Sequence, residues 1–593
     1  MMPGHSFLLR ASALLVASAT SLMLSAQTTA PAATGLNIQD LPAIAPKVDC
    51  ASLASTDLSA AVGASTKITS AAVVDDGQSP AYCRIQVQIE DFANSEVRLP
   101  VAGWTQRFLG GGGGTGQAVF ATMTRQDIGH RGDEDAFANN YKLRVDFAYR
   151  IVHLQVLASK ALITRFYGQG PKFSYYNACS EPGREGMMEV QRFPEDFDGA
   201  ITGCPPINNT INQGIYEAWN ILTNTRPDGT LIITSDKLPL LHTAVLGECD
   251  GADGARDGIV SVPWDCHPKL TAIVCKPGQD PGSCITAEQQ HVALELYRGA
   301  HDGKGNKLAP FGVLPGSELH WTAVIAPAGN LENSTDRRGT TLALRSEMVD
   351  PALGTSWKVS DMKFDRASFD TFTKMHYLFD ATNPDLSAYA KAGHKLIIWQ
   401  GLTDNNVLPA HAILYYTALQ KTLGVKAVED FVRLYVLPGV GHCGGGDGPS
   451  IRDYLAPMMS WVEKGIAPEA LPATHVPQPA RGAGGARGAQ AGPGGPAGAG
   501  GPGAPGGGGF MMQGMQQTTA APDLSRLVYP YPYTQQYDGS GDVREAANFN
   551  KGPARPVPAS VFNWLGADFY KAKPLKWCTA TGPTTLDCKE TRP

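Results

Sequence analysis

Charge is scarce in this chain. Of its 593 residues only 18% are charged, against roughly 25% in an average soluble domain. No run of Lys or Arg exceeds two residues, and 49 basic against 55 acidic side chains give a formal net charge of -6. An electrostatic footprint for nucleic acid or an anionic membrane surface is therefore missing. No Cys-x-x-Cys occurs, which removes the commonest metal-ligand spacing. Beyond the first 26 residues no apolar stretch approaches the roughly 18 needed to span a bilayer. A glycine run is present, but no Gly-Lys-Ser/Thr follows it, so a phosphate-binding loop is not indicated.

The N-terminus is the apolar exception. After Arg10, the run from Ala11 to Ala26 is rich in small residues and Ser, too short to span comfortably, and reads as a secretory signal peptide cut after Ala26. Eleven cysteines agree with export, because an oxidising compartment lets thiols pair. Cys249 with Cys266, Cys275 with Cys284, and Cys578 with Cys588 are close enough to staple loops, and Cys50 with Cys83 to tie down the N-terminal region. Spacing alone leaves connectivity open. An odd count leaves at least one free thiol, for which Cys204, ending an apolar run, is the candidate.

Residues 27–47, rich in Ala, Thr and Pro, read as a flexible leader. Strands are expected at Cys83–Glu90, Val97–Val101 and Arg107–Leu109, then a helix over Asp146–Tyr167 where Phe147, Ile151, Leu154 and Leu157 share one face. A strand at Lys172–Cys179, a helix at Pro182–Phe193 and a strand at Gly199–Cys204 complete a first catalytic part, residues 48–205. From 206 to 391 the alternation lapses into turns and mixed apolar segments, a candidate inserted lid. It resumes over 392–480 with strand Lys395–Trp399, helix Ala410–Leu423, strand Phe431–Leu437 and helix Ile451–Gly465. The pattern specifies an open, mostly parallel α/β sheet flanked by helices. Residues 481–509 hold 15 Gly and 4 Pro and bury too little apolar area to offset ordering, so 481–515 is expected to be a disordered insertion. Residues 516–593 are expected to pack back on the core.

The chemistry concentrates at three loops. Ser180 stands in Ala178-Cys179-Ser180-Glu181-Pro182, between a strand and a helix, where a nucleophile elbow lifts a hydroxyl above a sheet edge. The usual Gly-x-Ser-x-Gly is absent, with Ala178 and Pro182 at the glycine positions; Pro is tolerated in a first helical turn. A Ser capping a helix is the plainer alternative. Downstream, Asp404 follows the strand Lys395–Trp399 and His442 follows Phe431–Leu437, so acid and histidine come in the order of an α/β hydrolase, each past a strand's C-terminal end. The backbone N–H of Glu181 is a candidate oxyanion donor. The loop Cys249-Asp250-Gly-Ala-Asp253-Gly-Ala255-Arg-Asp257-Gly-Ile259 groups three carboxylates with glycines, which suits Ca²⁺ or, equally, a cluster of Asp-Gly turns.

Cys179-Ser180 and His442-Cys443 resemble the hallmark of the tannase and feruloyl esterase family of α/β hydrolases, also similar to mono(2-hydroxyethyl) terephthalate hydrolase. Gly183-Arg184-Glu185-Gly186, Arg192 to Gly199, Pro438 to Cys443 and Tyr537 to Gly541 carry the likeness further, over roughly 48–550. The resemblance implies a serine carboxylic-ester hydrolase acting on feruloyl, galloyl or related aromatic esters, with Ser180 as nucleophile, His442 as base and Asp404 as acid. It implies a Cys179–Cys443 disulfide, and a glycine-rich loop, Phe108 to Gly116, in which Gly112 and Gly113 are the candidate oxyanion donors. It also implies a structural calcium on the Asp250, Asp253 and Asp257 side chains and the Ala255 and Ile259 carbonyls, with no organic cofactor. The departures at Ala178 and Pro182 keep a non-catalytic exported binding protein as the rival from another class.

Overall fold

The computed structural model describes residues 38–592 except 76, 78–79, 91, 112–119, 126–137, 328–348, 355 and 476–523. The expected signal peptide, the leader up to residue 37, the segment 481–515, Gly112 and Gly113 lie outside the described residues.

Among the described residues nine strands form one sheet: β1 (Thr66–Val74), β2 (Tyr82–Ile89), β3 (Ala93–Pro100), β4 (Arg107–Gly110), β5 (Ala121–Arg125), β6 (Phe173–Cys179), β7 (Gly199–Gly203), β8 (Lys395–Gly401) and β9 (Val432–Leu437). Their order is β1-β2-β3-β5-β4-β6-β7-β8-β9. The first three strands and β5 pair antiparallel, whereas β5, β4 and β6 to β9 run parallel. The alternation in β2 (Cys83, Ile85, Val87 and Ile89 inward) matches a sheet with one covered face. β7 and β9 read instead as near-continuous apolar runs because helices cover both faces there. Helices α2 (Glu181–Arg192) and α6 (Leu455–Lys464) pack on β7 and α5 (Ala410–Leu423) on β9, while α1 (Ile151–Tyr167) packs on β3 and β5.

Among the described residues, 206–391 contribute no strand to this sheet. They hold α3 (Leu238–Cys249) and α4 (Ala287–Arg298), the latter started by a capping box in which Thr286 and Gln289 satisfy each other's backbone N–H groups. The expected helix from Asp146 is broken by a π-turn at Asp146–Arg150 before α1 begins.

Residues 38–47 differ from the flexible leader expected of them. The Gln39 backbone N–H donates to Glu463 Oε2 at 2.7 Å, and Glu463 is clamped by Arg107 at 2.6 Å, both side chains at most 3% exposed. Tyr175 donates to the same carboxylate at 2.7 Å. A buried carboxylate persists only when fully paired, and here the N-terminal segment completes the pairing.

At the other end, the hairpin Trp577–Gly582 with Thr585–Lys589 docks through hydrogen bonds joining the Tyr149 hydroxyl to the Cys578 backbone. The Tyr531 N–H reaches the Leu434 carbonyl on β9 at 2.7 Å. Among the described residues no helix is long and apolar enough to cross a membrane.

Candidate active site

Parallel strands deliver their C-terminal ends to one edge, and three loops there carry the chemistry. β6 runs directly into Ser180, whose φ of 69° and ψ of -138° lie outside the regions open to most side chains. Strain of this kind persists only where the surroundings over-determine it. Here the Ser180 N–H is held by the Gly203 carbonyl at 2.9 Å, and the Ser180 carbonyl already accepts the first turn of α2 from Arg184.

The missing Gly-x-Ser-x-Gly glycines have a structural explanation. A Cβ on Gly183 would come within 2.6 Å of the Gly203 carbonyl oxygen, so close helix-to-strand packing is secured by residue 183 rather than 182. On the strand side Ala178 faces Gly111, where a Cβ would lie 2.6 Å from the Asn177 carbonyl oxygen and 3.3 Å from the Ala178 Cβ. Gly111 also has a φ of 95°, so glycine is required there on two counts. It is the last described residue before 112–119, at the end of the strand beside the elbow. Spacing alone had not singled out Gly111 or Gly183.

Ser180 Oγ lies 2.8 Å from His442 Nε2, and His442 Nδ1 lies 2.8 Å from Asp404 Oδ2. Asp404 is 2% exposed. Its Oδ1 accepts the backbone N–H groups of Asn406 at 3.0 Å and Val407 at 2.9 Å, and its Oδ2 also accepts Gln400 Nε2 at 3.3 Å. These donors stabilise the ionised carboxylate and fix its orientation. An imidazole so placed can accept a proton from the hydroxyl at one nitrogen while the carboxylate stabilises the charge from the other side.

The loops are also joined covalently: Cys179 and Cys443 form a disulfide across 264 positions, with Cα atoms 5.9 Å apart. The pairs Cys50–Cys83, Cys249–Cys266, Cys275–Cys284 and Cys578–Cys588 are bonded as well, and Cys204 is free and buried. Glu181 opens α2, and its side chain is gripped by Arg184 at 2.5 Å. Arg184 is wholly buried and also donates to the carbonyls of Phe147, Ala148 and Phe379, tying the elbow helix to residues outside the sheet.

The acidic loop is a different kind of site. Asp250 accepts the N–H groups of Asp257 and Gly258, Asp253 that of Ala255, and Asp257 that of Ile259. Arg526, from the C-terminal segment, pairs with Asp257. Burial pushes the Asp257 carboxyl up to about 6, opposed by Arg526 and reinforced by Asp253 and Asp250. Asp250 is likewise raised, chiefly by burial. One guanidinium against three carboxylates leaves surplus negative charge on oxygen donors, the chemistry a hard divalent cation fits. Among the described residues, the sets of three that bring one donor atom each within 4.8 Å of one another are Cys204, Asp404, His442 and His153, Glu189, Asp196; the acidic loop is more open than either.

The aromatic residues of the candidate lid are mostly core. Trp321, Phe369 and Phe372 are buried, Phe369 is stacked on Phe569, and Trp357 packs against Phe372.

The parallel sheet, the strained serine turn and the loops past β8 and β9 define an α/β hydrolase. The model of the tannase and feruloyl esterase family matches residues 86–551, and the chain belongs to that family, whose members are carboxylic ester hydrolases. It is 30% identical over 437 residues to a probable feruloyl esterase B-1 of Aspergillus flavus, covering 68% of this chain and 80% of that protein. It is 31% identical over 443 residues to a probable feruloyl esterase B-2 of Neosartorya fischeri, covering 69% and 80%. Among solved structures, feruloyl esterase B from Aspergillus oryzae superposes with a TM-score of 0.65 at 23% identity, covering 82% of this chain and 96% of that one. The tannin acyl hydrolase from Aspergillus niger gives a TM-score of 0.60 at 22% identity, covering 85% and 92%; these two likenesses concern the fold.

Proposed function

We propose that this protein is an exported serine esterase that cleaves aromatic acyl esters, feruloyl or galloyl, through an acyl-enzyme on Ser180. The observation that carries the reading is the unbroken chain Ser180 Oγ, His442 Nε2, His442 Nδ1, Asp404 Oδ2, with 2.8 Å at each hydrogen bond. His442 takes the Ser180 proton as Oγ attacks the ester carbonyl, then passes it to the departing alcohol. Water, deprotonated by the same imidazole, releases the aromatic acid. Asp404 holds the tautomer with the proton on Nδ1 and stabilises the imidazolium. The Glu181 N–H and the loop beyond Gly111, with Gly112 and Gly113 as candidates, supply the oxyanion donors, each worth about 3–4 kcal/mol of transition-state stabilisation. Export is supported by the apolar leader and by ten cysteines in disulfides.

Calcium is proposed as a structural ion on Asp250, Asp253 and Asp257 with the Ala255 and Ile259 carbonyls; it would neutralise the surplus carboxylate charge and hold the loop against the C-terminal segment.

The test is a fluorophosphonate probe together with a panel of methyl ferulate, methyl gallate, chlorogenate and mono(2-hydroxyethyl) terephthalate. Labelling at Ser180 with fastest turnover of a feruloyl or galloyl ester is expected. Wild type that resists the probe as fully as Ser180→Ala would leave a non-catalytic binding protein as the reading; preference for the terephthalate ester would reassign the substrate.

A further inference from the structure

One reactive side chain at the sheet edge has no part in acyl transfer. Ten of the eleven cysteines are in disulfides, and Cys204 alone is a free thiol, fully buried. It directly follows β7, which lies between the strand leading to Ser180 and the strand leading to Asp404. Its φ of 39° is uncommon for a side-chain-bearing residue, and its N–H is anchored on the Trp399 carbonyl at 2.8 Å. The thiol is thereby brought under the Asp404–His442 pair: Sγ, an Asp404 oxygen and a His442 ring nitrogen all lie within 4.8 Å of one another.

Sulfur, imidazole nitrogen and carboxylate oxygen are the donors zinc takes, at about 2.3, 2.0 and 2.0–2.2 Å, which sets ligand atoms roughly 3.3–3.8 Å apart in a tetrahedron. To reach that spacing, His442 Nδ1 and Asp404 Oδ2, now 2.8 Å apart, must part by about half an ångström while Sγ, within 4.8 Å of both groups, closes in. The immediate surroundings favour a thiolate in part too, since the backbones of Gly401 and Cys443 act on the thiol to lower its pKa against the larger effect of burial, as outer partners of metal-bound sulfur do. Without a cation, burial and the Asp404 charge hold the thiol protonated, so the site stays silent in the resting enzyme. The other converging set, His153, Glu189 and Asp196, has no sulfur, and there the Glu189 carboxyl is pushed well above the usual carboxylate range, chiefly by burial and then by its neighbour Asp196.

We propose that Cys204, Asp404 and His442 form a binding site for a borderline-soft divalent cation of the zinc class, and that filling it switches the esterase off. The inhibition, though not the binding, rests on the hydrolase reading above. On binding, the S–H bond breaks, an S–metal bond forms and the thiol proton leaves to solvent. When His442 ligates through Nδ1, the proton on that nitrogen moves to Nε2, which can then no longer accept the Ser180 proton. Calcium does not compete, because it prefers all-oxygen shells. The His442 side chain, 21% exposed, is the way in, so inhibition should set in slowly and be reversed by a chelator.

The experiment uses the full secreted protein with calcium in excess. Zn²⁺ is titrated against esterase activity, and Co²⁺ serves as the spectroscopic probe, since a near-ultraviolet sulfur-to-cobalt band can arise only from the single free thiol. Expected are slow, chelator-reversible inhibition by micromolar Zn²⁺, the cobalt band in wild type, and in Cys204→Ser no band. The half-inhibiting Zn²⁺ concentration, relative to each protein's own uninhibited rate, should rise at least about 100-fold in that variant, since even outer-shell partners are worth about 10–100-fold in metal affinity. Equal Zn²⁺ sensitivity in wild type and Cys204→Ser, or wild type without the band, overturns the proposal. If Cys204→Ser does not fold, loss of the band in Asp404→Asn supports it and an undiminished band there overturns it. Ser180→Ala keeps the two readings apart: it should retain the band, and full activity in that variant would sink the esterase mechanism while leaving the metal site standing.

Discussion

The serine edge and the acidic loop both gather ionised or ionisable groups, yet they are balanced in opposite ways. At the edge, Asp404 has a backbone or side-chain donor for each oxygen, and His442 sits between acid and hydroxyl. In the loop, three carboxylates share one guanidinium, and burial lifts Asp257 to about 6. A site finished by the chain's own atoms is ready to move protons. One left with surplus charge suits the cation proposed for it, which the chain does not provide.

The sharpest break is catalytic. Ser180→Ala and His442→Ala should each lower kcat by about 10⁴–10⁶, and the double variant should be scarcely worse, because the groups act as a unit; single-turnover kinetics on methyl ferulate measure this, and additive losses would dissolve the triad. Asp404→Asn should cost about 10⁴ in kcat with KM little changed, whereas Asp253→Asn in the acidic loop should leave kcat within a few-fold when calcium is saturating. Similar losses at both positions would erase the distinction between a catalytic and a structural carboxylate.

Calcium and pH probe the other half of the comparison. A carboxyl raised on folding favours the folded state below its unfolded pKa of about 4, and that advantage is lost as pH rises through the folded value, here about 6. Metal-free protein should therefore be stabilised by acidification across this window as far as Asp257 is concerned. Added calcium at a hundredfold excess over its Kd at pH 7.5 should stabilise by about 2.7 kcal/mol there, and by less at pH 5, where protonated Asp257 weakens binding. Differential scanning calorimetry with calcium or a chelator at the two pH values measures it, and a shift of equal size at both would count against ligation by Asp257.

The smallest expected effects concern glycine. Gly183→Ala forces a methyl against the Gly203 carbonyl and should destabilise by about 1–3 kcal/mol, with a drop in kcat/KM as the elbow shifts. Gly251→Ala in the acidic loop meets nothing nearer than 4.0 Å and should stay within about 0.5 kcal/mol. Chemical denaturation of both reports whether close packing at the elbow, rather than glycine content, is what matters.

Much of this contrast was legible in one dimension. The helices and strands flanking Ser180, Asp404 and His442 follow from apolar periodicity, and their order along the chain named the three side chains, because loops after parallel strands open on one edge. The carboxylate cluster was visible as spacing. What spacing could not supply was the relocation of the packing glycine from 182 to 183, which depends on where a β7 carbonyl lies. Nor could it supply the fixing of residues 38–47 by a carboxylate more than 400 positions away. Cys204 read only as the candidate free thiol ending an apolar run, since its nearness to Asp404 and His442 is made by strand order. Sequence by itself determined which residues this protein has for chemistry and the local elements that carry them. Tertiary structure decided which of them meet, because distances between loops are set by register, twist and the packing of distant side chains, none of which is encoded in neighbouring residues.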